Sequence, residues 1–176
     1  MRSNIAAAVL VLGALAAGGA AVVITWDKRR MAAELRAAFE RHGLPGAWGE
    51  ALGRKESDLD LRAVNLTGPD GARGGSYGPT QISAQTARAW GYSGSMERLR
   101  TDGAFAAELT AQMVAAGFAE RAGNVYSYGP PASLEELGAV WNAGRAWTDP
   151  KLPASTRTKY VPKLRAALAA SESGVA

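Results

Sequence analysis

Hydrophobic residues recur every three to four positions through most of residues 31–176, the spacing of one buried helix face. The predicted helices cover Met31–Arg41, about Ala47 to Lys55, Ala84–Trp90, Gly103–Arg121, a segment from Ser133 to Gly144, and about Thr158 to Ala170. Ser83, Asp102 and Ser133 stand where a side chain caps the first turn of a helix. No useful run alternates hydrophobic with polar residues, so the predicted fold class is mainly α.

Residues 57–79 break the helical pattern and are rich in Gly, Asn, Asp and Pro. These residue types favour turns, so we expect a long loop after the second predicted helix. Long irregular segments in compact domains are commonly functional.

The N-terminal residues 5–26 carry no charge and are long enough for one helix to cross the hydrocarbon core of a bilayer. Trp26 and the cluster Lys28-Arg29-Arg30 follow, where an interfacial aromatic and headgroup-binding cations belong. We therefore predict a membrane anchor in residues 1–30 and a catalytic domain in residues 31–176. A cleaved signal peptide ending near Gly18-Gly19-Ala20 is the alternative.

Composition removes several kinds of chemistry. The chain has no Cys and one His, which excludes disulfides, thiolate metal sites and multi-histidine metal sites. The net charge is +4, but residues 31–176 carry 16 basic and 15 acidic side chains, so no nucleic-acid-binding face is indicated. We expect no metal and no cofactor. Carboxylates, amides, hydroxyls and aromatic rings remain for chemistry.

Five short motifs occur in a characteristic order: Glu56-Ser57, Ala63-Val64-Asn65, Gly78-Pro79-Thr80-Gln81-Ile82, Trp141-Asn142-Ala143-Gly144 and Tyr160-Val161. In this order they resemble the soluble lytic transglycosylase family, which cleaves peptidoglycan and has the goose-type lysozyme fold. The resemblance covers about residues 35–170. Two of the motifs depart from it: Pro79-Thr80 replaces the usual Leu-Met, and Trp141 replaces the usual Tyr.

The resemblance makes Glu56 the single catalytic residue. It would first protonate the glycosidic oxygen and then, as a base, activate the 6-hydroxyl of the same muramic acid ring, leaving a 1,6-anhydro end. Burial against Leu52, Trp141 and Tyr160, together with the negative end of a helix dipole, would favour the protonated carboxyl that the first step needs.

The expected substrate-binding residues are Asn65, Thr67, Tyr77, Gln81, Trp141, Asn142 and Tyr160. By resemblance, Asn65, Thr67 and Tyr160 place polar groups near the acid and the attacking hydroxyl. Gln81 and Asn142 would orient the N-acetyl and hydroxyl groups of the glycan strand.

Two other functions fit the same residues. A hydrolytic lysozyme would need a second carboxylate, and Asp70 in the loop is the candidate that holds a water molecule. A catalytically inactive glycan-binding module on a membrane is the other alternative.

The expected location is a membrane, with residues 5–26 as a single-pass anchor in the bilayer. The cations after the anchor favour a cytoplasmic body, whereas peptidoglycan lies outside the cytoplasmic membrane. A cell-envelope protein that departs from the charge bias would resolve this conflict. So would a bacteriophage protein carried in a virion membrane or held until lysis.

Overall fold

A computed structural model describes residues 28–67, 71–72 and 74–173. Over these residues the protein is mainly helical with two small antiparallel sheets, as the sequence predicts at the level of fold class. The predicted anchor in residues 5–26 and the candidate Asp70 lie outside the described residues. Among the helices within those ranges, none combines the length and apolar character that crossing a bilayer requires.

Helices precede, separate and follow the two sheets along the chain. The α-helices are residues 28–41 (α1), Gly46–Ser57 (α2), Ala84–Ala89 (α3), Arg98–Thr101 (α4), Gly103–Ala115 (α5), Leu134–Ala143 (α6) and Val161–Glu172 (α7). A π-helical turn, Thr156–Tyr160, leads directly into α7. The strands are Val64–Asn65 (β1), Ser76–Tyr77 (β2), Ile82–Ser83 (β3), Phe118–Arg121 (β4) and Asn124–Ser127 (β5).

The three predicted helix caps are confirmed. Side-chain oxygens of Ser83, Asp102 and Ser133 each accept a hydrogen bond from the backbone N–H three residues later, at 3.0–3.2 Å. Glu136 reaches back to the backbone N–H of Ala132 at 2.7 Å, which closes the first turn of α6 from the other side. These local bonds set where α3, α5 and α6 begin.

The prediction that one helix extends to Arg121 is wrong, because α5 ends at Ala115 and β4 follows. Gly117 adopts φ +57°, and a Cβ there would lie 2.1 Å from the carbonyl oxygen of Gly129. Ala122 and Gly123 then turn the chain with φ of 51° and 81°, and β4 pairs antiparallel with β5. Gly117 and the turn at Ala122-Gly123 interrupt the predicted helix, and pairing with β5 stabilises residues 118–121 as a strand. The hairpin therefore replaces the last predicted helical turns.

The expectation that residues 57–79 form a loop is also corrected. This segment contains β1 and β2, which join β3 in a three-stranded antiparallel sheet. Val64 pairs with Tyr77, and Ser76 pairs with Asn65 on one side and Ser83 on the other. Strands of two residues are too short to show an alternating pattern.

Two hydrophobic clusters form the interior. The first joins α1, α2 and α7 and includes Leu35, Phe39 and Leu164. The second joins β3, α3, α5 and β4 and includes Met113. Trp141 of α6 packs against both clusters, so it lies where the two meet.

A buried carboxylate in the first cluster has a structural role. Glu50 is 4% exposed and accepts hydrogen bonds from Arg36 and, at 2.8 Å, from Arg54. Arg36 also donates to the carbonyl oxygen of Ser171 at 2.8 Å. The network therefore joins α1, α2 and α7, and pairing of this kind is what a buried charge requires.

A salt-bridge cluster between α1 and α5 predicts sensitivity to acid. His42 Nε2 lies 2.6 Å from Glu108, Arg41 donates to the same carboxylate at 2.9 Å, and these bonds lower the pKa of Glu108 to about 2. The pKa of an unfolded Glu is near 4.5, so the stabilisation is present above that pH and is lost as the pH falls towards 2.

We expect Glu108→Gln to lower the free energy of unfolding at pH 5 by roughly 1 kcal/mol, because the cluster is partly exposed. Urea denaturation at pH 5 and pH 3 should show this difference shrinking at the lower pH. The matched control is Glu172→Gln, at an exposed position in the last turn of α7. A difference that stays constant between the two pH values would contradict the assignment.

Candidate functional site

A cavity of about 470 Å³ lies beside the second hydrophobic cluster, whose Ile82, Met113 and Phe118 line it together with Trp141. Its walls come from the end of α2, from β2 and β3, from α3, from β4 and from the end of α6. Four of the predicted site residues line it: Glu56, Gln81, Trp141 and Asn142. A cavity of this size is within the range of small-molecule sites, about 300–1,000 Å³.

The end of α2 places Glu56 at the cavity. Glu56 is in the last turn of the helix, which ends at Ser57. The two residues that follow the helix, Asp58 and Leu59, both have positive φ. The N–H of Leu59 bonds the carbonyl oxygen of Gly53 at 3.1 Å, and the Leu59 side chain is buried in the first cluster. The chain therefore turns sharply after Glu56 and holds the helix end in place.

The surroundings of Glu56 are more polar than the sequence predicts. The hydroxyl of Tyr160 donates a hydrogen bond to Glu56 Oε1, and Lys55 Nζ lies 3.6 Å from the same oxygen. Lys55 Nζ also lies 4.1 Å from the centroid of the Tyr160 ring. Leu52 is fully buried in the first cluster, and Trp141 lines the cavity. Besides the expected apolar residues, Glu56 therefore contacts a hydrogen-bond donor and a cation, and both stabilise a carboxylate.

Tyr160 is the last residue of the π-helical turn. The turn ends with a bond from Val161 N–H to the carbonyl oxygen of Thr156, five residues back. Close packing of α6 fixes this segment, because a Cβ on Gly138 would lie 2.9 Å from Val161 Cγ2 and 3.6 Å from Tyr160 Cδ1. An extra residue in a helical turn re-aims the side chains that follow, and such turns are frequent at functional sites.

The Gly78–Gln81 turn forms another wall of the cavity. Gly78 adopts φ +76°, and a Cβ there would lie 2.4 Å from the carbonyl oxygen of Leu99, so only glycine fits. Ser57 Oγ donates to the carbonyl oxygen of Pro79 at 2.8 Å, which joins this turn to the end of α2. The side-chain amide of Gln81 donates to the carbonyl oxygen of Gly78 at 2.9 Å, and that bond orients the side chain.

The end of α6 completes the wall next to β4, because a Cβ on Gly144 would lie 3.6 Å from the Cβ atoms of Ala119 and Arg121. Asn142 Nδ2 donates to the buried hydroxyl of Thr156 at 2.9 Å, which joins α6 to the π-helical turn. Gly144 ends the helix in the left-handed conformation with φ 60°, as the sequence predicts. The Trp-Asn-Ala-Gly motif therefore supplies both a cavity wall and a support for the segment that carries Tyr160.

Four predicted site residues are not among those that line the cavity: Tyr160, which is bonded to Glu56, and Asn65, Thr67 and Tyr77 of the β1–β2 region. Asn65 Oδ1 accepts hydrogen bonds from the backbone N–H of Thr67 at 3.0 Å and from its hydroxyl at 2.8 Å. The hydroxyl of Tyr77 donates to the carbonyl oxygen of Gly74 at 3.2 Å. These side chains bond within the β1–β2 region, where they shape the sheet next to the cavity.

Glu120 of β4 lines the same cavity and was missed by the sequence analysis. It is 6% exposed, and its Oε1 accepts hydrogen bonds from Gln85 Nε2 and from the N–H of Gly123, each at 2.8 Å. The available signal was Gly123, since glycine readily adopts the positive φ that a two-residue hairpin turn requires. The predicted helix over residues 103–121 hid it.

Comparison with known proteins gives no relative: no family model, no curated protein and no solved structure matches this chain. Within the described ranges, no three Asp, Glu or His side chains gather into a group that could hold a metal ion. The likeness to the soluble lytic transglycosylases therefore consists of the five motifs themselves.

The buried hydroxyl beside Glu56 predicts a response to alkali. Burial, the charge of Glu56 and the hydrogen bond to it raise the pKa of Tyr160 well above 10.0. The stabilisation is therefore present below about pH 10, the ordinary pKa of an unfolded Tyr, and is lost as the pH rises further.

We expect wild-type protein to lose stability between pH 9 and pH 11 more steeply than Tyr160→Phe, in urea denaturation followed by circular dichroism. The control is Tyr92→Phe, which removes a half-buried hydroxyl bonded to a backbone carbonyl far from Glu56. Equal pH dependence in wild-type and Tyr160→Phe would contradict the assignment.

Proposed function

We propose that the protein is a lytic transglycosylase that cleaves the glycan strands of peptidoglycan, with Glu56 as its acid and base. The observation that carries this proposal is the contact between Glu56 and Tyr160 at a large polar cavity. These residues stand 104 positions apart and belong to the first and last of the five motifs. Gln81, Trp141 and Asn142, from the motifs between them, line the same cavity.

The first step uses Glu56 as an acid. Its protonated carboxyl gives a proton to the glycosidic oxygen while the bond from that oxygen to the anomeric carbon breaks. The carbonyl oxygen of the substrate's own acetamido group stabilises the positive charge that develops at the anomeric carbon. A single carboxyl group of the protein therefore suffices for bond cleavage.

In the second step, the ionised Glu56 acts as a base. It takes the proton of the 6-hydroxyl while that oxygen bonds to the anomeric carbon, so the carboxyl is protonated again and no water is consumed. Tyr160 and Lys55 stabilise Glu56 as a carboxylate, its form between the two steps. The hydrogen bond from Tyr160 also fixes the direction of the carboxyl group, which both transfers require.

The remaining cavity residues suit a sugar. The Trp141 ring offers an apolar face to the C–H face of a pyranose, and the side chains of Gln81 and Asn142 carry donors and acceptors for hydroxyl and N-acetyl groups. In this proposal the residues 5–26 anchor the enzyme in a cell-envelope or virion membrane.

Hydrolysis is the second candidate, because Glu120 lines the cavity that contains Glu56. Most glycosidases use two carboxyl groups about 5–9.5 Å apart. A lysozyme of this kind would leave reducing ends, with water added across the bond.

Replacing the acid tests the proposal. We expect Glu56→Gln to reduce the clearing of a peptidoglycan suspension by about 100- to 10,000-fold, the usual contribution of general acid–base catalysis. Glu172→Gln, at an exposed position of α7, should retain the wild-type rate. Circular dichroism of both variants checks that they fold.

Mass spectrometry of the wild-type products decides the outcome of the reaction. Anhydro-muropeptides, each lighter by one water than the corresponding reducing product, are expected. Reducing ends would favour the hydrolase. Full activity in a folded Glu56→Gln variant would rule out Glu56 as the acid.

A further inference from the structure

Glu120 is a buried carboxylate that the proposed chemistry does not use. It reaches the cavity from β4, whereas Glu56 reaches it from the end of α2. Only 6% of Glu120 is exposed. Burying a carboxylate is costly unless hydrogen bonds compensate for the loss of water, so a position in a cavity wall calls for an explanation.

Two donors hold this carboxylate at the wall. Gln85 Nε2 belongs to α3, and the N–H of Gly123 belongs to the hairpin turn, so Glu120 connects the hairpin to α3 across one side of the cavity. Gln85 lines the cavity as well. The carboxylate is thus held in a fixed place beside the space that the substrate would occupy.

An ionised carboxylate accepts hydrogen bonds and donates none. A ligand group that binds it must bring an O–H or N–H donor, and a ligand carboxylate would be repelled. In peptidoglycan, the hydroxyl and acetamido groups of the sugars are neutral donors, while the lactyl-peptide branch of muramic acid carries carboxylates.

We propose that Glu120 is a substrate-binding residue that accepts a hydrogen bond from a neutral hydroxyl or acetamido N–H of an N-acetylated sugar in the cavity. This inference rests on the proposed function, because it assumes that the cavity takes a glycan. Gln85 is then a positioning residue, which holds the Glu120 carboxylate towards the sugar.

The test measures binding separately from catalysis. The parent is Glu56→Gln, and the probe is the tetramer of N-acetylglucosamine, with affinity measured by isothermal titration calorimetry. Adding Glu120→Gln should raise Kd about 10-fold or more, the loss expected for one hydrogen bond to a charged group. Adding Gln85→Met instead removes one hydrogen-bond donor to Glu120 and keeps the carboxylate. Its rise in Kd should be several-fold smaller than the rise for Glu120→Gln.

Kinetics on peptidoglycan give an independent readout. Glu120→Gln in the otherwise wild-type protein should raise KM and leave kcat within a few-fold. Glu120→Asp keeps the charge on a shorter side chain, so its KM should lie between those of wild-type and Glu120→Gln. It also provides the test if Glu120→Gln fails to fold, which thermal denaturation would show.

Several results would overturn the inference. Equal rises in Kd and equal losses of Tm for Glu120→Gln and Gln85→Met would make Glu120 a structural clamp. A fall in kcat at constant KM would make it a participant in the chemistry, as the hydrolytic candidate requires. Absence of tetramer binding by the parent would also overturn it. Full activity of Glu56→Gln would instead defeat the proposed function, and the calorimetric comparison would still report on Glu120.

Discussion

The hydrogen bond from Tyr160 to Glu56 joins the end of α2 to the π-helical turn before α7, and the candidate site depends on it. Glu56 can meet this hydroxyl only because the left-handed turn at Asp58 and Leu59 ends α2 at the cavity. On the other side, the π-helical turn brings Tyr160 to the same point, and Gly138 lets α6 pack closely behind it. The backbone geometry of two separate segments, the turn after α2 and the π-helical turn before α7, is therefore required for this one side-chain contact.

The second hydrophobic cluster supplies apolar parts of the cavity wall through Ile82, Met113 and Phe118. Trp141 packs against both clusters and also lines the cavity, so the same ring contributes to packing and to the site. Polar residues from six separate elements, α2, β2, β3, α3, β4 and α6, line this space.

Most of the helices were predictable because local signals define them, whereas the four-residue α4 was not predicted. Ser83, Asp102 and Ser133 cap helices where the sequence places them, and Gly144 ends α6 as expected. The β4–β5 hairpin was not predictable from periodicity, because residues 118–121 continue a helical pattern and become a strand only through long-range pairing and the turn at Gly123. The order of the motifs predicted Glu56, Gln81, Trp141 and Asn142 as site residues, and all four line one cavity. Glu120 could not be predicted in the same way, because its position at the cavity depends on the hairpin.

The central claim is that the Glu56 carboxyl group faces the glycosidic bond of a bound glycan. A crystal structure of the Glu56→Gln variant with a peptidoglycan-derived oligosaccharide tests it most directly. The account predicts a glycosidic oxygen within hydrogen-bond distance of the side chain at position 56, about 2.6–3.2 Å, and sugar rings along the wall formed by Trp141 and Asn142. A glycan bound elsewhere, with the side chain at position 56 still bonded to Tyr160 and remote from every sugar, would contradict it.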